Sequence, residues 1–463
     1  MKKTPNRVVI INAISAGLLN GISMIMMPVY SYLLGTEVYG LSSVYTTWVT
    51  ILSIVIGLQV FSSIGVAQKD FPASEQLTFQ ANGVYVGFAM CVALTGVTAL
   101  FLTPLSRFLE VPLWTVMLLC PHAFGIFCVG LLNSKFTYEF KQEKNLFVSV
   151  SMSLGTALIS VIAILLFPTE KRFHGKMIGV AVPYILCAII LLLYLLKKVG
   201  LCIQKKYIKY MLRYSVPLMF SNLCLQLFEG SDKLMLQKME SNSAVGIYSL
   251  AFNFSAVVSS IWYALNCAWT PFYYQYETAG NVEELLEHAK RYIRLFSILT
   301  IGFVLLSPEV FRFFSAPSFY TGVQMIPVFA MGFYLNFLRC FARNYQFYYK
   351  QTKRIACITV IASLCNLGLN LLFIPAWGAM GAALATMIAQ GVAFGVHWMS
   401  AKYHPCPYKE YPFRLKLFVP YFVLLGISIF LFYLPQTWWI RWTAGGILGV
   451  WLLSKLIREK QLL

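Results

Sequence analysis

Charge is scarce in this chain. Of 463 residues, 36 are Lys or Arg and 17 are Asp or Glu, so charged residues make up 11%, where a soluble domain carries about 25%. Whole stretches, among them 78–103, 147–167 and 177–196, contain no Asp, Glu, Lys or Arg. About 18 or more such residues suffice to cross a hydrocarbon core of about 30 Å as a helix, which excludes a string of soluble domains. Other absences narrow the choice further. There is no CxxC pair, and of eleven cysteines only Cys202 and Cys406 fall outside expected spans, both in loops assigned below to the cytoplasm. A disulfide framework or zinc site is therefore not expected. The five histidines (His122, His174, His288, His397, His404) show no metal-ligand spacing. Neither a Walker motif nor a nucleophile elbow occurs, which leaves no basis for ATP hydrolysis or covalent catalysis. The alternating dyads of a membrane β-barrel are missing too, and the apolar runs are too long for its strands.

What the chain does contain is 59% apolar residues and a net charge of +19. The basic groups sit between apolar runs and form no continuous face for nucleic acid. Reading those runs against charge, Gly and Pro predicts an all-α polytopic membrane protein with about fourteen transmembrane helices. Their limits are 8–33, 43–67, 78–103, 113–133, 147–167, 177–196, 214–236, 247–268, 292–314, 323–348, 355–375, 380–401, 416–434 and 442–456. Lys2, Lys3 and Arg7 before the first run resemble a signal sequence, but no small-x-small site follows, so an uncleaved first span is expected. Most of the Lys and Arg fall at ends that alternate onto one side, densest at Lys197, Lys198, Lys205, Lys206, Lys209 and Arg213. The positive-inside rule then places both termini in the cytoplasm. The external loop with Lys171, Arg172 and Lys176 is a local exception.

A weak repeat divides the chain. GTEVYGLSSVY (35–45) answers SNSAVGIYSLA (241–251), and HGKMIGVAVP (174–183) answers WGAMGAALAT (377–386), at nearly equal offsets. Two six-helix bundles in parallel repeat follow, 1–209 and 210–401, with two extra helices in 402–463.

LLGTEVYG after the first span, SDKLMLQKM running into VGIYS after the seventh, and IPAWGAMGAALAT carry a resemblance to the polysaccharide flippase family. These are the O-antigen and capsule repeat-unit exporters of the MOP superfamily, and the resemblance runs along essentially the whole chain. It implies a V-shaped central cavity and a location in the bacterial cytoplasmic (inner) membrane. It also implies flipping of an undecaprenyl-diphosphate-linked oligosaccharide by alternating access. The implied partners are that lipid-linked oligosaccharide, membrane lipids and a glycan polymerase or export machinery. No cofactor is implied beyond a coupling proton or sodium ion.

Polar residues inside the spans mark where such a substrate could bind. At 100° per residue, Ser215, Asn222, Gln226, Glu229 and Lys233 of span 7 fall within roughly a 60° arc. Asn336, Arg339, Arg343, Gln346 and Lys350 of span 10 fall within roughly an 80° arc. Span 8 aligns Ser249, Asn253 and Ser260; span 11 aligns Thr359, Ser363, Asn366 and Asn370; span 1 has Asn12, Ser15, Asn20 and Ser23. Hydroxyls and amides of this kind also glue membrane helices together, so spans 8 and 11 have a purely structural reading. Charged groups cost more, and Arg offers a planar, permanently charged fork for phosphate oxygens. The substrate-cavity candidates are accordingly Arg339, Arg343, Asn222, Gln226, Glu229, Lys233, Asn253 and Asn336. Lys233 and Lys350 can snorkel. Glu229 and Asp232 have two readings: neutralising Lys233 or an Arg, or binding a coupling proton or cation. Asp232 lies about 80° off the stripe, where it could face a neighbouring helix.

Two other function classes compete. A MATE-like multidrug or organic-cation antiporter would favour carboxylates and aromatics, whereas Arg339 and Arg343 favour an anion. A membrane glycan polymerase would carry a large external loop, and every external loop expected here has about ten residues or fewer. A flippase, not an enzyme, is the favoured reading.

Overall fold

The computed structural model describes residues 5–403, 411–434 and 438–459. Lys2, Lys3, His404 and Cys406 lie outside the described residues. Every regular element among the described residues is helical, as a lipid-embedded backbone requires when water cannot satisfy its N–H and C=O groups. The chain forms two compact units, Met1–Leu234 and Met235–Leu463.

The first unit contains α1 (Pro5–Gly57), α2 (Ile64–Asp70), α3 (Gln76–Leu100), α4 (Leu102–Leu109), α5 (Leu113–Tyr138), α6 (Gln142–Leu166), α7 (Arg172–Val199) and most of α8 (Lys205–Met239). Its core is built by small residues that admit bulky ones. A Cβ on Gly87 would lie 2.6 Å from the Phe127 ring, one on Gly125 would lie 2.6 Å from the Tyr184 carbonyl, and one on Gly179 would overlap the Ser160 backbone. Membrane helices associate through such close contacts because burial from water is no longer a driving force. The outer faces remain apolar and uncovered, as at Leu158, Ile162, Leu165, Leu166 and Ile190. A soluble protein could not leave such patches open, whereas lipid covers them.

Polar contacts hold the ends of this unit. Asn82 accepts from the Gln204 N–H (2.8 Å) and donates to the Cys202 carbonyl (3.0 Å), while the Tyr85 hydroxyl donates to Gly200 O (2.8 Å). Glu75 accepts from Lys206 Nζ (2.8 Å) and the Tyr207 hydroxyl (2.6 Å). These bonds tie the α7–α8 connection to α3. The Lys206 ammonium, then Tyr207, hold the Glu75 carboxyl below its ordinary range, and Glu75 in turn raises the Lys206 ammonium. At the opposite end, Arg172 Nη1 donates to Leu33 O (2.7 Å), and Lys176 Nζ lies 3.2 Å from the Tyr30 ring centroid. Two of the three cations of the exceptional basic loop thus act near the end of one arm of α1, Arg172 on a terminal helix carbonyl and Lys176 on an aromatic face.

The second unit contains the end of α8, then α9 (Asn242–Ala279), α10 (Val282–Phe313), α11 (Ile326–Tyr348), α12 (Thr352–Tyr403), α13 (Val419–Tyr433) and α14 (Trp438–Glu459). Its starts are capped as the sequence allows: Ser241 Oγ accepts from Ala244 N (3.1 Å) and Asn281 Oδ1 from Glu284 N (3.3 Å). Its core is aromatic, with Phe296 and Phe337 4.2 Å apart and Tyr292, Phe341 and Trp269 packed around them.

Nine helices among the described residues are long and apolar enough to cross a membrane. Two of them, α1 and α12, are bent at a single glycine and supply two expected spans each: Gly35 has φ 68° and Gly378 has φ 53°. A left-handed backbone reverses direction at little steric cost only without a Cβ. The expected loop at 34–42 is therefore absent, since helix resumes directly after Gly35. The expected span 43–67 is also broken: α1 stops at Gly57, Leu58 and Gln59 take positive φ, and a 3-10 turn leads into α2. Of the remaining spans, α8 is less apolar because it carries the polar stripe, α13 has only 15 residues, and α14 supplies the last. The chain is an all-α, multi-pass membrane protein.

Candidate functional site

The polar stripe of α11 is where the described structure concentrates cationic charge inside a span. Pro327 near the start of α11 costs no helical hydrogen bond, and the helix ends where Lys350 takes φ 56° and Gln351 N bonds to Gln346 O at 2.7 Å. Between these limits Asn336, Arg339, Arg343 and Gln346 follow at spacings of three and four, hence on one face. Arg339 Nη2 donates to Asn336 Oδ1 at 2.5 Å. The Arg343 guanidinium carbon lies 5.7 Å from the Phe347 ring centroid. Neither arginine has an acidic partner among the described residues. Arg339 Nε is buried without a hydrogen-bond partner, a state that costs about 1–3 kcal/mol or more for a charged group. Lys350 lies past the helix end and is exposed, free to reach a headgroup region.

Behind the arginines the stripe meets α12. Gln346, fully buried, accepts at Oε1 from His397 Nδ1 at 2.7 Å, and His397 is itself 1% exposed. Both arginines are close enough for their charges to act on His397. A histidine inside an apolar run was the available sequence signal, but without metal spacing its position behind the stripe was not legible. Asn344 adds a bond to Asn266 of α9 at 3.4 Å.

The other candidate stripes differ. On α8, Asn222, Gln226 and Lys233 are half-buried, Glu229 is exposed, and Asp232 is buried. Asp232 and Lys233 interact electrostatically. The candidates on α8 thus belong to the first unit, and Asn253, Asn336, Arg339 and Arg343 belong to the second. On α9, Asn253 is exposed, Ser249 is buried, and Ser260 spends its hydroxyl on Ala256 O (3.1 Å). On α12 the stripe is internal glue. Thr359 and Ser363 bond to their own helix, Asn370 donates to Asn366 (3.3 Å), and Asn366 donates across the Gly378 bend to Thr386 (3.2 Å). Of the span 1 group, Ser23 is exposed, and the side chains of Asn12, Ser15 and Asn20 lie outside the described residues.

Among the ionic contacts that the sequence did not announce, one joins two helices of the second unit. Arg441 of α14 donates to Glu309 of α10 at 2.5 Å, with side chains 10% and 30% exposed. The two residues are far apart in sequence and neither belongs to a stripe, so no spacing announces them.

With this geometry in hand, similarity to known proteins can be placed. The polysaccharide biosynthesis protein family model matches residues 7–277, and the MatE family model matches residues 217–372. An uncharacterised membrane protein of Haemophilus influenzae is 22% identical over 385 residues, covering 78% of this chain and 90% of its own. The fold is similar to the lipid II flippase MurJ in its inward closed conformation, with TM-score 0.70, 16% identity, and 98% and 99% of the two chains covered. It is also similar to an inward-facing multidrug resistance MATE family transporter of the MOP superfamily, with TM-score 0.59, 14% identity, and 90% and 96% covered. The family match spans more than half of the chain and includes both motifs that opened the repeat: the chain belongs to the polysaccharide biosynthesis protein family.

Proposed function

We propose that this protein flips an undecaprenyl-diphosphate-linked oligosaccharide repeat unit across the bacterial cytoplasmic membrane by alternating access, with both termini in the cytoplasm. One observation carries the reading. Arg339 and Arg343 stand on one face of a membrane-spanning helix, held by an amide and an aromatic ring and not by carboxylates. Charge in a span is expensive, about 2.5–3.5 kcal/mol for Arg at a helix centre even on insertion scales, so its retention calls for an anionic partner. A diphosphate supplies one, and a guanidinium fork matches its oxygens. The amides Asn336, Asn222, Gln226 and Asn253 suit sugar hydroxyls. Glu229, exposed on α8, is the candidate for a coupling proton or sodium ion, and buried Asp232 for a partner of Lys233. The MatE match over 217–372 keeps an organic-cation antiporter as the second reading, but unneutralised arginines repel such a cargo.

Mass analysis of lipid-linked sugars in a deletion strain tests the substrate class: a diphosphate-linked oligosaccharide is expected to accumulate. In vesicles containing the purified protein, Arg339→Ala and Arg343→Ala are each expected to slow flipping about tenfold or more, the loss of a hydrogen bond to a charged group. Insertion should not suffer, since each change removes a charge from lipid. Glu229→Gln should abolish dependence on an imposed proton or sodium gradient. Full flipping by the double alanine variant would remove the arginines from the mechanism.

A further inference from the structure

The α11–α12 contact leaves three polar atoms unspent. Arg339 Nε, His397 Nε2 and Gln346 Nε2 are all buried, and none has a hydrogen-bond partner. Gln346 and His397 are linked by geometry, and Arg339 acts on His397 through its charge. Gln346 Oε1 accepts from His397 Nδ1 at 2.7 Å, and His397 lies within electrostatic reach of Arg339 and Arg343. The first bond fixes the imidazole tautomer. With Nδ1 carrying the proton toward Gln346, Nε2 is left as an acceptor. Arg339 Nε–H is a donor, so the two unspent groups on the arginine and the histidine are complementary in sign. A carboxylate in the same place would hold the guanidinium and also cancel its charge. A neutral imidazole holds it without cancelling anything.

We infer that His397, oriented by Gln346, is a positioning residue for the arginine pair: its Nε2 takes the Nε–H edge of Arg339 through one bound water. The inference rests on the reading of Arg339 and Arg343 as an anion site. It goes beyond that reading by placing a second-helix partner behind the arginines. Of the two outer guanidinium nitrogens of Arg339, Nη2 is then held by Asn336 and Nη1 is left for phosphate oxygens. Gln346 is needed because it sets the tautomer. Without it, Nε2 could carry the proton and would repel the donor edge of Arg339.

The test uses full-length protein in detergent, inorganic diphosphate as the probe, and calorimetric titration. Wild type is expected to bind, and Arg339→Ala to lose binding. His397→Leu and Gln346→Leu should each weaken binding about tenfold, equivalent to about 1.4 kcal/mol. His397→Gln, which restores an amide acceptor of similar reach, should stay within about threefold of wild type. A purely structural role would instead make the leucine and glutamine variants alike in binding once both are folded. A second readout needs no ligand: the rate at which phenylglyoxal modifies Arg339, read by mass spectrometry. That rate should rise in His397→Leu and return toward wild type in His397→Gln. Failure of wild type to bind diphosphate would overturn the anion reading. Diphosphate binding by wild type and His397→Leu alike, with equal modification rates, would overturn the positioning role alone. If His397→Leu does not fold, the same comparison is made between wild type, His397→Gln and Gln346→Leu.

Discussion

Arg441 reaches from α14 to Glu309 on α10, while Arg339 on α11 is held by the Asn336 amide and Arg343 by the face of Phe347. The two sites lie in the same unit and confront the same cost of placing a guanidinium among apolar helices. At Arg441 the charge is cancelled by a carboxylate, so what remains is a clasp between two helices. At Arg339 and Arg343 no carboxylate among the described residues cancels the charge, and neutral groups steady it. A structural arginine needs its charge removed, whereas an arginine that must meet an anion needs it kept. Neutral support is therefore the more telling feature of the α11 stripe, more so than the presence of arginine in a span.

Placing an acid in the stripe would erase this difference. Asn336→Asp would pair with Arg339 across the same i, i+3 spacing that the amide now bridges. On the proposed reading, flipping in vesicles is expected to fall about tenfold or more, because a diphosphate would then compete with an internal carboxylate for a charge-assisted bond. Thermal stability should hold or rise, since a buried charge gains a partner. Undiminished flipping by this variant would show that the uncancelled charge is not required.

These features were unevenly visible in the sequence. The fourteen spans follow from hydropathy and charge gaps, and all but 43–67, which breaks after Gly57, fall largely on one helix or helix arm. The polar stripes follow from helical periodicity, and Arg339, Arg343 and Asn336 share a face as their spacing requires. The turns at Gly35 and Gly378 were not legible, because a single left-handed glycine leaves no loop-length segment of polar residues to detect. The partners of charged groups were hidden too. Glu309 against Arg441 and Leu33 O against Arg172 join residues distant in sequence, as Gln346 and His397 do, and pairing across helices carries no periodic signature. Sequence thus locates a charge in a span and leaves undecided whether tertiary packing neutralises it.

Breaking the clasp should hurt stability and spare transport, the opposite pattern. Glu309→Gln leaves Arg441 charged against a neutral neighbour. With both side chains partly open, the expected loss is about 1–3 kcal/mol, below that of a fully buried pair. Removing both charges in Glu309→Leu with Arg441→Met should recover most of it, since apolar replacement of a whole pair is often neutral. Thermal unfolding in detergent measures the cycle, and flipping per folded molecule should stay near wild type throughout. A double variant as unstable as the single would mean that the pair contributes through packing and not through charge.

The smallest effect is expected at the solvent-facing counterpart of the clasp, where Glu75 binds Lys206 and Tyr207 beside the α7–α8 connection. Here the Glu75 and Lys206 side chains are both hydrated, and a surface ion pair contributes little. The pH dependence nevertheless has a defined sign. The Glu75 carboxyl is held below its ordinary value in the folded protein, so its contribution is present above that ordinary value and disappears as pH falls through the lowered one. The Lys206 ammonium is raised, so its contribution is present below its ordinary value and disappears as pH rises through the raised one. Between the two windows the connection should be fully clamped. Limited proteolysis within residues 200–204 would report it: cleavage should be slowest near neutral pH and accelerate toward acid. Glu75→Gln should flatten the acid side of that profile while leaving the Asn82 and Tyr85 bonds, and hence slow cleavage at neutral pH, largely intact. An unchanged acid limb in Glu75→Gln would show that the Glu75 contacts do not set the pH response of the connection.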